Sequence, residues 1–126
     1  MPTPNSKKRM SSDMPGNISP LELFELLENP LSKPFLIDVR EKKELEIAQL
    51  PFSFLHLPLS ESSEWAQGLE NLLPNDRPLV VICHSGIRSL NFGIWLIKED
   101  LDLEVLNLVG GIDAWSTDID QSIPRY

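Results

Sequence analysis

One cysteine and one arginine, close together in a short segment, are the residues best suited to chemistry. Cys83 follows the apolar run 79–82, and Arg88 lies five positions further along. A buried strand that continues through a short glycine-containing loop into a helix brings backbone N–H groups together at one point. These donors and the positive end of the helix dipole favour thiolate over thiol, and the thiolate is the nucleophile. Arg88 adds a fixed positive charge suited to an anionic substrate.

The alternative for Cys83 is a structural role, since a lone cysteine at the end of an apolar strand is often a small buried hydrophobic residue. The sequence after it argues against that role, because the residues are polar or small and the chain leaves the core there. Arg88 is hard to explain by packing. We therefore interpret Cys83 as the catalytic nucleophile and the following segment as its substrate-binding loop, with the candidate residues His84, Ser85, Gly86, Ile87 and Arg88.

A second polar cluster follows a predicted strand. The apolar segment 35–38 ends in Asp38-Val39-Arg40-Glu41. Such a cluster is commonly a solvated strand end, but the carboxyl edge of a parallel sheet is also where α/β sites collect. The sequence leaves both interpretations of Asp38 and Arg40 open.

Strands and helices alternate along the chain, which predicts an α/β fold with a parallel sheet covered by helices on both faces. The predicted strands are 35–38, 54–57, 79–82 and 103–108. Ser19 is a predicted N-cap, with Pro20 in the first helical position and Glu22 three residues after the cap. A later helix is expected to begin at Ser60 or Ser62 and to turn four apolar side chains to the core, those of Trp65, Leu69, Leu72 and Leu73.

Composition narrows the class of protein. The chain has 126 residues, of which 41% are hydrophobic and 24% charged, as in an ordinary globular domain. The net charge of −8 argues against a nucleic-acid or anionic-membrane partner. One cysteine excludes an intramolecular disulfide, and with two histidines neither a metal site nor a cofactor is expected.

The first residues differ from the rest. Residues 1–16 are polar and include Lys7-Lys8-Arg9 without an apolar segment after them, which is not the pattern of a secretory signal. We expect residues 1–16 to be a disordered tail and 17–126 to be the folded domain. A cytoplasmic location is the default expectation.

Three segments, taken in order, resemble the motifs of the rhodanese family of single-domain sulfurtransferases. Residues 36–41 with Glu44 resemble its first motif, Cys83-His84-Ser85-Gly86-Ile87-Arg88-Ser89 its active-site loop, and residues 109–115 its C-terminal motif. The resemblance covers about residues 17–126. The sequence departs from the family after Glu44, where Ala48-Gln49-Leu50-Pro51-Phe52 replaces the usual Gly-His-Ile-Pro-Gly.

The resemblance implies a rhodanese-like parallel sheet of about five strands between helices. It implies that Cys83 carries a persulfide, that Arg88 contacts the substrate, and that Asp38 and Arg40, with Ser89, support the loop. The implied activity is that of a thiosulfate sulfurtransferase, which moves sulfane sulfur from thiosulfate or a related donor to cyanide, a thiol or an accepting protein.

Two other functions remain open at this level. Cysteine phosphatases and arsenate reductases also place a cysteine and an arginine around an anion, but with five residues between them, whereas Cys83 and Arg88 have four. A non-catalytic binding module is the other alternative, and the intact pair of Cys83 and Arg88 argues against it.

Overall fold

The computed structural model describes residues 14–126. Its centre is a sheet of five parallel strands in the order β1-β5-β4-β2-β3. The strands are β1 (Gly16–Ile18), β2 (Phe35–Asp38), β3 (Leu55–His56), β4 (Leu79–Ile82) and β5 (Val105–Leu108). The helices are α1 (Pro20–Glu28), α2 (Lys42–Ile47), α3 (Ser62–Trp65), α4 (Ile87–Lys98) and α5 (Gly111–Asp118), with 3-10 turns at Leu59–Glu61 and Leu69–Asn71. The predicted fold class is therefore confirmed.

β4 is the central strand, and all four of its residues are buried. Its side chains alternate between two hydrophobic clusters, one on each face of the sheet. Val80 and Ile82 pack in the cluster that contains Trp115 of α5, whereas Leu79, Val81 and Cys83 pack in the cluster that contains Phe92 of α4. The continuous apolar pattern of β4 reflects this coverage on both faces.

The start of α1 forms as the sequence predicts. The hydroxyl of Ser19 accepts a hydrogen bond from the backbone N–H of Glu22 at 3.1 Å, and the Glu22 carboxylate accepts one from the N–H of Ser19 at 2.9 Å. This capping box satisfies two N–H groups that an α-helix leaves unpaired at its first turn.

The helix expected after Ser60 or Ser62 forms only in part, although Trp65, Leu69 and Leu73 pack in the core as predicted. The segment forms a 3-10 turn, the short helix α3 and a second 3-10 turn, and Leu72 is 47% exposed. Gly68 lies at the break, and glycine has a low helix propensity. Two strands are also shorter than expected, since β3 spans Leu55–His56 and β5 begins at Val105.

β1 is an element that the sequence does not predict. Its three residues pair in parallel with β5, with Gly16 opposite Leu106. Gly16 is the last residue of the expected tail and is instead the first residue of this strand. The tail residues 1–13 lie outside the described residues. Among residues 14–126, no helix is long and apolar enough to cross a membrane.

Candidate active site

The loop after β4 forms the centre of the site. Cys83 follows the strand directly, and α4 begins at Ile87, so the loop consists of residues 83–86. Gly86 has a φ of 101°, a left-handed conformation that favours glycine. A Cβ at Gly86 would also lie 3.1 Å from the backbone nitrogen of Gly110. Glycine is therefore required here both by the backbone conformation and by the close approach of the Gly110 backbone.

The sulfur of Cys83 is buried among hydrogen-bond donors. It accepts hydrogen bonds from the backbone N–H of Gly86 at 3.1 Å and of Ser89 at 3.3 Å, and the Ser89 hydroxyl lies 3.2 Å away. Cys83 is 1% exposed. A cysteine that only fills the core needs no such donors, whereas an anionic sulfur is stabilised by them.

Behind the sulfur, Ser89 and Asn107 form a buried polar network. The Ser89 hydroxyl donates to Asn107 Oδ1 at 2.5 Å, and Asn107 Nδ2 donates to the carbonyl of Gly86 at 3.1 Å. The exposed fractions are 0% for Ser89 and 6% for Asn107. The structure thus places Ser89, a predicted supporting residue, in contact with Cys83, and adds Asn107, which the sequence analysis does not identify.

The turn before α5 holds the loop from its other side. The N–H of Ile112 donates to the carbonyl of Cys83 at 2.9 Å, and that of Asp113 to the carbonyl of His84 at 3.0 Å. Gly111 has a φ of 62°, and a Cβ there would collide with both carbonyl oxygens. The C-terminal motif therefore supports the active-site loop through backbone contacts that only glycine permits.

Arg88, the predicted substrate contact, is paired with Glu44 of α2. The Glu44 carboxylate accepts hydrogen bonds from Nη1 at 2.7 Å and from Nη2 at 2.8 Å of the guanidinium. The hydrogen bonds from Arg88 lower the pKa of Glu44 to about 2, and the same bonds raise the pKa of Arg88. Two N–H groups of the arginine fork are thus engaged, and three remain.

Tyr126 lies over the loop and is a second residue that the sequence analysis misses. Its ring is stacked on His84, with centroids 4.1 Å apart and planes 12° from parallel. Its hydroxyl donates to Glu44 Oε2 at 2.7 Å and accepts from Arg40 Nη1 at 2.9 Å. Burial, with the bond to Glu44, raises the pKa of Tyr126 to about 12. No local pattern marks this residue, since its partners lie far along the chain.

Asp38 and Arg40 form a buried ion pair rather than a solvated strand end. Arg40 is 0% exposed, and its guanidinium donates to Asp38 through Nε at 3.0 Å and Nη2 at 2.9 Å. Arg40 reaches the active-site loop through Tyr126, which contacts His84. Arg40 Nη1 also lies 3.5 Å from the carbonyl oxygen of Glu44, the partner of Arg88, so the contacts of Arg40 lead toward the loop both through the tyrosine and through Glu44. The bracing role of Asp38 and Arg40 stays a prediction.

The remaining predicted loop residues differ in exposure. Ser85 is exposed and Ile87 is 67% exposed at the mouth of the loop. His84 is partly buried, with its ring stacked on that of Tyr126. His56, the last residue of β3, lies with Nε2 2.6 Å from the carbonyl oxygen of Arg40. Among residues 14–126, no group of three or more potential metal ligands comes together.

Comparison with known proteins gives consistent matches across this region. The family model for the rhodanese-like domain matches residues 19–118. The rhodanese-like/PpiC domain-containing protein 12, chloroplastic, of Arabidopsis thaliana is 37% identical over 83% of the chain and 35% of its own length. The adenylyltransferase and sulfurtransferase UBA4 of Lodderomyces elongisporus is 36% identical over 83% of the chain and 24% of its own length. The chain thus spans about a quarter to a third of these relatives.

Solved structures share the fold. A rhodanese-related protein from Thermoplasma volcanium matches 82% of the chain and 93% of its own length, with a TM-score of 0.64 and 26% identity. Ygr203w, described as a yeast protein tyrosine phosphatase of the rhodanese family, matches 86% of the chain and 90% of its own length, with a TM-score of 0.61 and 20% identity. Both structures therefore share the fold of this chain.

Proposed function

Because the chain belongs to the rhodanese-like domain family, we propose that it is a sulfurtransferase that carries sulfane sulfur on Cys83. The observation that carries this proposal is the environment of the sulfur. Sγ accepts hydrogen bonds from the N–H groups of Gly86 and Ser89, at the N-terminus of the 12-residue helix α4. Such donors stabilise negative charge on the sulfur before and after the transfer.

The first step loads the enzyme. The Cys83 thiolate attacks the outer sulfur of thiosulfate, and a new S–S bond forms. The bond between the two sulfurs of thiosulfate breaks, and its electron pair leaves with sulfite. Cys83 then carries a persulfide whose outer sulfur bears the negative charge, close to the backbone donors of the loop. Covalent catalysis of this kind divides one transfer into two displacements.

The second step unloads it. The attacking acceptor is a cyanide ion, a small-molecule thiolate or the thiolate of a partner protein. It bonds to the outer sulfur, and the electrons of the S–S bond return to Cys83. The chain has one cysteine, so the acceptor comes from outside the chain. The name of the relative UBA4 includes sulfurtransferase, which supports transfer of the sulfur to an acceptor. We propose that this acceptor is a small thiol or a protein.

Arg88 has to serve the donor while it is paired with Glu44. The guanidinium has five N–H donors, and the pair with Glu44 uses two. The Glu44 carboxylate fixes the arginine at the edge of the loop, so its orientation is set before the anion arrives. An anionic donor binds the remaining N–H groups or displaces Glu44.

The experiment that tests the function is intact-protein mass spectrometry after treatment with thiosulfate. We expect the mass of one additional sulfur atom, removed by cyanide with formation of thiocyanate, and no adduct on Cys83→Ser. Ser63→Ala is the matched control, since Ser63 is an exposed residue of α3 outside the loop, and its adduct should equal that of the wild type. Thiocyanate formation by Cys83→Ser at the wild-type rate would refute the proposal.

A cysteine phosphatase is the second candidate, favoured by the shared fold of Ygr203w, which is described as a phosphatase. Its loop would have to bind three phosphate oxygens. Phosphate release from an aryl phosphate, assayed in parallel with thiocyanate formation, separates the two candidates.

A further inference from the structure

Asn107 is a buried polar residue beside the nucleophile, and the proposed transfer gives it no task. It lies on β5 opposite Val81 of β4. Its side chain joins two parts of the active-site loop, because Nδ2 donates to the Gly86 carbonyl at 3.1 Å and Oδ1 accepts from the Ser89 hydroxyl at 2.5 Å. Both of these residues also donate a backbone N–H to the sulfur of Cys83.

The donors and acceptors of this network fix where its protons lie. The Gly86 carbonyl can only accept, so the Asn107 amide turns Nδ2 toward it and Oδ1 toward Ser89. Oδ1 can only accept, which commits the single hydroxyl proton of Ser89 to Asn107. The Ser89 oxygen therefore presents lone pairs to Cys83 Sγ, 3.2 Å away. A thiol, which has its own proton, completes a hydrogen bond at that position.

Ionisation of Cys83 leaves the network one proton short. In one arrangement Ser89 keeps its bond to Asn107, and its lone pairs face the anionic sulfur. In the other, the hydroxyl turns to the sulfur and the buried Oδ1 of Asn107 loses its donor, which is unfavourable away from water. The N–H groups of Gly86 and Ser89 favour the thiolate, and Asn107 acts against them.

We propose that Asn107 is a positioning residue that keeps the Ser89 proton away from Cys83 and thereby sets the pH at which the thiolate forms. The inference rests on the proposed function, in which Cys83 is the nucleophile. A thiolate that is stabilised too strongly is a weaker nucleophile. Asn107 limits that stabilisation while the loop amides supply it.

Charged groups near the loop act separately from Asn107. Arg88 of α4 interacts electrostatically with Cys83 and is paired with Glu44 of α2. The other titratable groups around the loop are His84, Tyr126, the Asp38–Arg40 pair of the β2 edge, and Asp113 of α5, which interacts with His84. The hydrogen bonds of Asn107 described above go to uncharged groups. An alanine at this position therefore releases the Ser89 hydroxyl proton from its acceptor without changing the charge of the site.

The test measures alkylation of Cys83 by iodoacetamide as a function of pH, read by intact mass. For Asn107→Ala we expect the midpoint of the profile to fall by about one pH unit, a tenfold change in the ionisation equilibrium, because Ser89 is free to donate to the sulfur. For Asn107→Asp we expect no fall, since the carboxyl group keeps an acceptor for Ser89. In the Ser89→Ala background, Asn107→Ala should leave the midpoint unchanged.

Ser116→Ala is the matched control, because it removes a buried hydroxyl that donates to the Ile123 carbonyl, and its midpoint should equal that of the wild type. Asn107→Leu, closer in volume, gives the same readout if the alanine variant is too unstable. An unchanged or raised midpoint in both Asn107→Ala and Asn107→Leu would overturn the proposal. An equal fall in the Ser89→Ala background would also overturn it. Alkylation needs no sulfur donor, so these outcomes are independent of whether thiosulfate is used.

Discussion

The carboxylate of Glu44 holds the guanidinium of Arg88 by two hydrogen bonds of 2.7 and 2.8 Å. The two residues are 44 positions apart, so the pair connects α2 to the N-terminus of α4 beside Cys83. The geometry matches the planar fork of arginine to the two carboxylate oxygens. Removal of either partner therefore affects both the loop and its charge.

Arg88→Ala should lower kcat/KM for thiosulfate about 10- to 100-fold, the range expected for loss of a hydrogen bond to a charged group. Arg88→Lys should recover only part of the loss, because lysine lacks the planar fork. Steady-state thiocyanate formation measures both, and the melting temperature shows whether the variants fold. Wild-type kinetics in the alanine variant would show that Arg88 does not contact the donor and that its role is limited to the structural pair with Glu44.

Glu44→Gln should reduce the acid sensitivity of the protein. The folded pKa of Glu44 is lowered to about 2 from an ordinary value of 4.5, so the ion pair stabilises the fold above pH 4.5 and is lost as the pH falls toward 2. Arg88 is 37% exposed, which limits the contribution to about 1 kcal/mol.

Urea unfolding at pH 7 and at about pH 3 measures the effect of Glu44→Gln. The wild type should be more stable than the variant at pH 7, and the difference should shrink at the lower pH. A difference that stays constant over this range would contradict the linkage between the Glu44 carboxylate and folding.

Tyr126→Phe and Tyr126→Ala should separate the two contacts of the tyrosine. The phenylalanine variant keeps the stack on His84 and loses the bonds to Glu44 and Arg40. We expect a loss of about 1 kcal/mol for it and a further 0.5–1.5 kcal/mol for alanine, about the value of an aromatic pair. Equal stability of both variants in urea would show that the stack contributes nothing.

Gly111→Ala should destabilise the protein by more than about 1 kcal/mol, since it combines a left-handed backbone with a collision against the carbonyls of Cys83 and His84. Gly68→Ala is the matched control. A Cβ at Gly68 meets no atom within 4 Å, and its φ of −100° suits any residue, so we expect no loss of stability. Thermal unfolding compares the two, and equal effects would count against the close contact at Gly111.

Aryl phosphates should be hydrolysed negligibly by a preparation that uses thiosulfate. Four residues separate Cys83 from Arg88, and a loop too short to place three oxygens on donors misaligns the phosphorus, where about 1 Å can cost on the order of 100-fold in rate. Insertion of one glycine after Ser85 should lower sulfur transfer. Efficient, Cys83-dependent phosphate release by the unmodified protein would instead favour the phosphatase.

Local patterns predict the part of the fold that depends on neighbours in sequence. The four apolar residues of β4 and the N-cap at Ser19 depend on neighbours within a few residues, and both form as expected. The loop after Cys83 is shorter than expected, because α4 begins at Ile87 and includes Arg88. The helix expected in the region 60–73 has the correct apolar spacing, but Gly68 interrupts it. The spacing of apolar residues does not show whether the free energy gained by packing them exceeds the cost of a glycine within the helix.

The rest of the site depends on partners that are far apart in the chain. Tyr126 reaches Glu44 across 82 positions, and Asn107 reaches Gly86 across 21. Glu44 is recognisable as part of a motif, but its bond to Arg88 follows from how α2 and α4 meet on the folded sheet. A polar residue within an otherwise apolar strand, as Asn107 is in β5, is the one sequence signal that could have identified the buried network.

The pairing of β4 with β5 makes cysteine reactivity a reporter of strand alignment. Asn107 and Val105 lie on the same face of β5, and Leu106 and Leu108 lie on the other. A slip of one residue would therefore present a leucine to Ser89 in place of the amide. A preparation with misaligned strands would show a second population in its alkylation profile, even where its helical content and mass are native.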